Sequence, residues 1–81
     1  MTTKIVLPKW GMGIDEGTVI QWLKAVGDRI TEGEPVVEIE TAKATQPVEA
    51  PASGVLSQIL VPVGETVLVN ATLGLIEEDS G

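Results

Sequence analysis

Residues 17–40 read GTVIQWLKAVGDRITEGEPVVEIE, and the pattern recurs 37 positions later, without a gap, as GVLSQILVPVGETVLVNATLGLIE over residues 54–77. Seven of the 24 aligned positions are identical, whereas unrelated segments of average composition would share about one or two. The identical pairs are Gly17/Gly54, Gln21/Gln58, Leu23/Leu60, Val26/Val63, Gly27/Gly64, Ile39/Ile76 and Glu40/Glu77. A repeat of this length in an 81-residue chain predicts two similar units related by a pseudo-two-fold axis.

Both copies of the repeat carry strand signals. Val, Ile and Leu occur in short runs bounded by Gly, Pro, Asp and Glu, while the nine glycines and five prolines interrupt any amphipathic helical pattern. We predict strands near residues 4–8, 17–24, 36–40, 46–50, 55–61 and 73–77, with shorter ones near 29–31 and 66–69. Short strands at regular spacing, separated by turn residues, favour an all-β sandwich or barrel.

The turns and prolines refine this architecture. Val26-Gly27-Asp28 and Val63-Gly64-Glu65 predict the same turn in the two copies, with glycine free to adopt positive φ. Pro47 follows closely after the centre of the chain and has no amide hydrogen to donate to a ladder. It therefore predicts an edge strand or the start of a strand.

Composition excludes several classes of function. Twelve acidic and five basic residues give a net charge of −7, which disfavours nucleic acid and bare anionic membranes as partners. The absence of Cys and His removes thiol nucleophiles, the usual general base and soft-metal ligands, so no catalytic residue and no metal site is predicted. Without an apolar run of transmembrane length or a secretory or transit signal, we expect a cytoplasmic protein, and an isolated domain that is monomeric.

Few residues offer chemistry of their own. Glu38 and Glu40 share one face of a strand, but 81 residues can hardly form a substrate cleft around them, so a solvated acidic face is the better interpretation. Trp22 lies in a strand and predicts packing at the core. Trp10 and Met12 lie in a glycine-containing loop, where they either cap one end of the sandwich or meet a partner.

Lys43 is the residue that the pattern singles out. It lies in Thr41-Ala42-Lys43-Ala44, between the two copies of the repeat and between the strands predicted near 36–40 and 46–50. A tight hairpin projects its tip into solvent, where an enzyme can reach the amine, and the two alanines give no shielding. The sequence therefore predicts a lysine that is open to covalent modification.

Several motifs together carry a family resemblance over residues 3–78. They are Leu7-Pro8-Lys9-Trp10-Gly11, Asp15-Glu16-Gly17-Thr18-Val19, Val26-Gly27-Asp28, Val37-Glu38-Ile39-Glu40-Thr41-Ala42-Lys43-Ala44 and Val48-Glu49-Ala50-Pro51-Ala52-Ser53-Gly54-Val55-Leu56. In this order and spacing they resemble a lipoyl domain of the biotinyl/lipoyl-carrier family. The resemblance implies a domain over residues 1–78, with residues 79–81 beginning a linker or forming a free end.

The resemblance implies a flattened β-barrel of two four-stranded antiparallel sheets with quasi-two-fold symmetry. Lys43 would carry lipoic acid in amide linkage, attached by a lipoate ligase or lipoyl transferase. The lipoyl group would act as a swinging arm between a thiamin-diphosphate decarboxylase, an acyltransferase core and a dihydrolipoamide dehydrogenase. The isolated domain would be a substrate and not an enzyme, and would form part of a dihydrolipoamide acyltransferase in a 2-oxo acid or acetoin dehydrogenase complex.

The chain departs from the family pattern at one position beside Lys43. Lipoyl domains usually carry Asp immediately before the lysine, a residue implicated there in turn geometry and in recognition by the decarboxylase, whereas this chain carries Ala42. Candidate recognition residues are Ala42, Ala44, Glu40, Trp10 and Met12, with further support from the acids Glu38 and Glu49.

The same fold carries biotin in carboxylases, which is the main alternative. Biotin carriers typically place their lysine between two methionines, and some have an additional "thumb" insertion, neither of which is present around Lys43. An unmodified scaffold domain is a third interpretation, which the alanine at position 42 keeps open. The carrier protein of glycine cleavage fits less well, because that family is longer and adds helices.

Overall fold

Eight short strands follow one another along residues 1–78, the part of the chain that the computed structural model describes. They are β1 (Thr2–Val6), β2 (Glu16–Trp22), β3 (Arg29–Ile30), β4 (Pro35–Glu40), β5 (Thr45–Glu49), β6 (Gly54–Ile59), β7 (Thr66–Leu68) and β8 (Thr72–Glu78). Each corresponds to a strand predicted from the sequence, with bounds that agree within two residues. The predicted linker or free end at residues 79–81 lies outside the described residues.

The strands form two four-stranded antiparallel sheets, in the orders β1-β8-β6-β3 and β5-β4-β2-β7. Exchanging β1 with β5, β2 with β6, β3 with β7 and β4 with β8 converts one sheet order into the other. The predicted fold class and the pseudo-two-fold symmetry implied by the repeat are both confirmed.

The two repeats interlock through their matching glycine turns. Gly27 has φ 97° and donates its amide hydrogen to Leu56 O, at 2.8 Å, in β6 of the other repeat. Gly64 has φ 96° and donates to Val19 O, at 2.7 Å, in β2. Because Val19 and Leu56 are themselves repeat partners, each glycine turn makes the equivalent hydrogen bond to the other repeat.

A second pair of repeat partners shows how geometry constrains the sequence. Gly33 and Asn70 both have positive φ, at 87° and 71°, although their side chains differ. Asparagine is among the few residues with a side chain that adopt this left-handed region without severe strain. The two positions therefore keep one backbone conformation without keeping one amino acid.

The core lies between the two sheets and is made by the inward-facing positions of the repeat. Three pairs of repeat partners are fully buried, which are Val19/Leu56, Val36/Leu73 and Ile39/Ile76. Each such side chain contributes about 1.5–3 kcal/mol when it leaves water. Trp22 is half-buried against this cluster and donates from Nε1 to Val61 O at 2.9 Å, which confirms the packing predicted for it.

The β4–β5 hairpin lies at the edge of its sheet. Pro47 falls inside β5, where it pairs with Glu38 of β4 and has no strand on its other side, as its missing amide hydrogen predicts. Residues 1–78 form strands and turns but no helix, so they include no helix that could cross a membrane. The hairpin places the residues between β4 and β5 at its tip.

Candidate functional site

The tip of the β4–β5 hairpin is a four-residue turn. Glu40 pairs with Thr45 as the last rung of the ladder, and beyond it the amide of Thr41 donates to Ala44 O at 2.9 Å. The residues that follow Thr41 in the turn are all exposed, namely Ala42, Lys43 and Ala44. The structure therefore places Lys43 at a solvent-exposed hairpin tip, where the sequence predicted it.

The side chain of Thr41 organises this turn. Its hydroxyl donates to Ala44 O at 2.9 Å and accepts the amide hydrogens of Lys43 and Ala44, each at 3.3 Å. Threonine at the first position of a turn commonly bonds the backbone two or three residues ahead. No role was predicted for Thr41, although a hydroxyl residue that opens a turn is the signal that could have indicated one.

The ammonium group of Lys43 reaches across to the loop that joins β1 to β2. Its Nζ donates to Met12 O at 3.3 Å, so the tip and this loop form one continuous surface. The loop bends at Gly13, whose φ is 83°, and Ile14 anchors it by donating its amide to Gly11 O and burying its side chain. Lys43 and the β1–β2 loop are thus presented together.

The two large apolar residues of this loop have different environments. Met12 is 88% exposed, whereas Trp10 is half-buried and packs against the core cluster. The first interpretation, a cap on the sandwich, therefore fits Trp10, whereas a contact between Met12 and a partner stays a prediction. Trp10 covers the sandwich, and Met12 is a free apolar side chain beside the lysine.

A groove runs between β1 and β5, which are edge strands of the two different sheets. Val6, Pro8 and Trp10 line it on one side and Pro47 and Val48 on the other. Trp10 therefore belongs to the wall of this groove, while Met12 belongs to the surface around Lys43. Of these two candidate recognition residues, only Trp10 lines the groove.

The acidic residues near the tip face outward. Val37 and Ile39 of β4 are buried, so Glu38 and Glu40, which alternate with them, lie on the outer face of the sheet. Glu49 lies on the same hairpin but at the far end of β5, paired in register with Pro35. Glu40 is therefore the acid closest in sequence and register to the tip. Of the two acids predicted to form a solvated face on this strand, Glu40 is exposed and Glu38 is partly buried.

Within residues 1–78 the structure holds no group of three acidic, cysteine or histidine side chains that could bind a metal ion. What the tip offers chemically is one exposed primary amine on a rigid two-sheet scaffold. This amine can accept an acyl group in an amide bond, and the short alanines beside it leave the approach open.

The fold and the exposed lysine at a hairpin tip match a known family of carrier domains. A family model described as "Biotin-requiring enzyme", which covers biotin and lipoyl attachment, matches residues 3–76. The chain belongs to this biotin/lipoyl family. The match extends from β1 into β8, so it covers nearly the whole of both sheets.

Within the family, curated relatives point to the lipoyl branch. The chain is 44% identical, over 95% of its length, to the dihydrolipoyllysine-residue succinyltransferase component of the 2-oxoglutarate dehydrogenase complex of Bartonella vinsonii. It is 43% identical, over 91% of its length, to the dihydrolipoyllysine-residue acetyltransferase component of the acetoin cleaving system of Pseudomonas putida. These matches cover 19% and 20% of the two relatives, so the chain spans about a fifth of their length.

Solved structures show the same fold, and one of them is a lipoyl domain. The solution structure of the lipoyl domain of the 2-oxoglutarate dehydrogenase complex from Azotobacter vinelandii superposes with a TM-score of 0.73 and 38% identity, over 94% of this chain and 98% of that one. The urea carboxylase of Kluyveromyces lactis superposes with a TM-score of 0.81 and 25% identity, over 95% of this chain and 6% of that one. The resemblance to a lipoyl domain of an acyltransferase component is thus confirmed in both sequence and fold.

Proposed function

We propose that this chain is a lipoyl carrier domain in which the Nζ atom of Lys43 bears lipoic acid through an amide bond. The observation that carries the proposal is the position of Lys43 at the exposed tip of the β4–β5 hairpin, in a chain whose relatives are named for a dihydrolipoyllysine residue. The domain that this proposal describes covers residues 1–78.

The surroundings of Lys43 fit an attached arm better than those of the other lysines. Lys24 is half-buried and paired with Glu34 at 3.3 Å, which would have to break before its amine could react. Lys4 lies within β1, and Lys9 lies where the chain leaves that strand. Lys43 alone among these four lysines stands at the tip of a hairpin, and its contact with Met12 O is a single exposed hydrogen bond.

The chain itself contributes presentation and not catalysis. It has no cysteine or histidine, so the reversible dithiol chemistry and the acyl-carrying sulfur would come from the lipoyl group. The two sheets hold the hairpin rigidly, and the exposed tip lets the arm reach several active sites. Tethering then raises the effective concentration of the arm at each of those sites.

The partners follow from the relatives. We propose that the domain is part of a dihydrolipoamide acyltransferase in a 2-oxo acid or acetoin dehydrogenase complex, because both complexes occur among the relatives. Its partners would be a lipoate ligase or lipoyl transferase, a thiamin-diphosphate decarboxylase, the acyltransferase core and a dihydrolipoamide dehydrogenase. A cytoplasmic location and a monomeric isolated domain remain predictions.

A biotin carrier is the second candidate, and two observations favour it. The family is shared with biotin enzymes, and the fold superposes on part of a carboxylase with a TM-score of 0.81. The residues around the lysine favour lipoate, since Lys43 stands between Ala42 and Ala44 and not between two methionines.

The intact mass of the 81-residue protein, produced in a host supplied with both lipoate and biotin, tests the proposal, with peptide mapping around Lys43. We expect a lipoyl increment on Lys43, its loss in Lys43→Arg, and its retention in Lys9→Arg, which removes another exposed lysine. A biotinyl increment, with capture by streptavidin, would move the domain to the carboxylases. An unmodified mass in a host that lipoylates other domains would contradict both carrier functions.

A further inference from the structure

The turn that presents Lys43 depends on one side chain that is not the lysine itself. Three hydrogen bonds join the Thr41 hydroxyl to the turn backbone, one donated to Ala44 O and two accepted from the amides of Lys43 and Ala44. Together with the amide of Thr41, which also bonds Ala44 O, they close the tip over the last rung of the ladder.

The backbone gives this turn no other local support. Two-residue hairpins usually take a turn with positive φ at one or both central residues, because that geometry matches the twist of the strands. Asn70 is the one non-glycine residue with positive φ among residues 1–78, so neither Ala42 nor Lys43 adopts such a turn. A side-chain hydroxyl that satisfies both the amides and the carbonyl of the tip supplies a different means of holding it.

The neighbouring side chains cannot take over this role. Ala42 and Ala44 carry no polar group, and the ammonium of Lys43 bonds Met12 O in the adjacent loop and not the turn. The position before the lysine, which carries Asp in the pattern that the motifs resemble, therefore offers nothing here that could bond the backbone. The polar support of the tip rests on Thr41.

We propose that Thr41 is the positioning residue for lipoyl attachment: its hydroxyl holds the tip in the conformation in which Lys43 is presented to the modifying enzyme. The inference rests on the proposed function. In the attachment step the Lys43 amine, after losing a proton to water, attacks the carboxyl carbon of lipoyl adenylate formed from lipoate and ATP. The C–N bond forms, the bond between the carboxyl carbon and the phosphate oxygen of AMP breaks so that AMP leaves, and the second amine proton passes to water. Thr41 touches none of the reacting atoms and acts only through the turn.

The expected effect is on recognition and not on the chemical step. Without the hydroxyl, the tip would sample open conformations, and only the closed fraction would bind the enzyme productively. Losing this support should lower kcat/KM for lipoylation about fivefold, the factor that corresponds to roughly 1 kcal/mol. The loss should appear in KM, because the bound tip and the amine are unchanged once the complex forms.

The experiment compares three substitutions in the 81-residue protein. Thr41→Val keeps the branched shape and removes the hydroxyl, while Thr41→Ser keeps the hydroxyl and removes the methyl. Thr45→Val is the matched control, since it removes a hydroxyl at the first residue of β5, outside the turn. Steady-state lipoylation is measured with a lipoate–protein ligase, lipoate and ATP. Amide hydrogen exchange of Lys43 and Ala44 in the unmodified domain reports the turn without any ligase, and thermal unfolding checks that the variants fold.

We expect Thr41→Val to show the rise in KM and faster exchange at Lys43 and Ala44, with Thr41→Ser and Thr45→Val close to the parent chain. If the parent chain is lipoylated and Thr41→Val is lipoylated equally well, the inference is overturned and the proposed function stands. Equal losses in Thr41→Ser and Thr41→Val would also overturn it, because the hydroxyl would then not be the cause. If the parent chain is not lipoylated, the proposed function fails, and Thr41 is left with only a structural role in the turn.

Discussion

The Nζ atom of Lys43 lies 3.3 Å from the backbone carbonyl oxygen of Met12 and donates a hydrogen bond to it, although 31 residues separate the two in the chain. This bond joins the hairpin tip to the β1–β2 loop, two segments that are distant in the sequence. A change in the charge of the amine should therefore alter the chemical environment of that loop.

Acylation of Lys43 should change the backbone signals of the β1–β2 loop. It removes the positive charge and replaces three donor hydrogens by one amide hydrogen, so the bond to Met12 O weakens or breaks. We expect the largest ¹H–¹⁵N shifts at Gly13, whose amide belongs to the peptide group of Met12 O, and within the turn. Val55, paired with Arg29 in the other sheet, is the internal reference. Shifts confined to the turn would show that the contact contributes nothing in solution.

Two glycines that are repeat partners should respond differently to the same substitution. A Cβ on Gly54 would overlap the backbone carbonyl of Glu77 and lie 2.9 Å from the Cα of Glu78 in β8, which cannot move without breaking the sheet. A Cβ on Gly17 would overlap the Cγ2 methyl group of Ile39 and lie 3.3 Å from the Cδ2 atom of Leu7, which are side-chain atoms and not backbone.

We therefore expect Gly54→Ala to cost more than about 4 kcal/mol, enough to unfold much of a domain of this size, and Gly17→Ala to cost about 1–3 kcal/mol. Chemical denaturation of the two variants side by side measures the difference. Equal losses of unfolding free energy would mean that the β8 backbone shifts as easily as the side chains around Gly17.

The fold could be predicted almost entirely from the sequence, because the repeat and the turn glycines determine it. Aligning Gly27 with Gly64 fixes which strands are equivalent, and the buried pairs such as Ile39/Ile76 fall on the inner faces as the period-two pattern requires. β1 begins two residues before the predicted start, because Thr2 and Thr3 pair with β8 without belonging to the apolar run, which itself continues past the strand to Leu7. An apolar pattern reports burial, and Leu7 is buried without belonging to the strand.

The surroundings of the site were less predictable, because they depend on contacts between distant segments. The exposed tip at Lys43 follows from the two flanking strands, which are local in sequence. That Trp10 packs inward while Met12 is exposed depends on how the loop bends at Gly13, and residue type does not specify this. The Lys43–Met12 contact forms only when β1, β2 and β4 have assembled, so no local sequence pattern predicts it.

The ion pair between Lys24 and Glu34 predicts a pH dependence of stability. The Thr31 amide, which Glu34 Oε1 accepts at 3.2 Å, and the Lys24 ammonium, 3.3 Å from Oε2, both hold the pKa of this carboxyl below its usual range. A carboxyl whose pKa is lower in the folded state stabilises the fold above its unfolded pKa. That stability is lost as the pH falls through the unfolded value to the folded one.

We expect Glu34→Gln to lower the melting temperature at neutral pH and to reduce its fall on acidification. The Glu34 side chain is partly exposed and solvent screens the ion pair, so the effect is small and best measured as the difference between melting curves of the variant and the parent chain at low salt. Glu32→Gln, a neighbouring exposed acid, is the control for the loss of one negative charge. A Glu34→Gln curve parallel to that of the parent chain down to the acid limit would show that the two hydrogen bonds do not shift this carboxyl.

The alanine before the lysine should limit how well the carrier is recognised by a decarboxylase partner. Ala42 is exposed at the tip, and the family pattern that the motifs resemble places Asp there. Ala42→Asp should therefore raise the rate of reductive acylation of the lipoylated domain by a 2-oxo acid decarboxylase. A gain of up to about fivefold is the size expected for one exposed charge pair, which contributes up to about 1 kcal/mol. Ala44→Asp adds the same charge on the other side of Lys43 and is the matched control, and both variants should melt close to the parent chain, since the tip is exposed.

The rates are compared with equal amounts of lipoylated protein, so that differences in attachment do not enter. A gain for Ala42→Asp alone indicates that the carboxylate is read at that position. Equal gains for both variants would show that the partner responds to the net charge of the tip and not to a carboxylate at position 42. No gain for either would mean that recognition depends on other residues, of which Glu40 and Met12 are the nearest to Lys43 in register and contact.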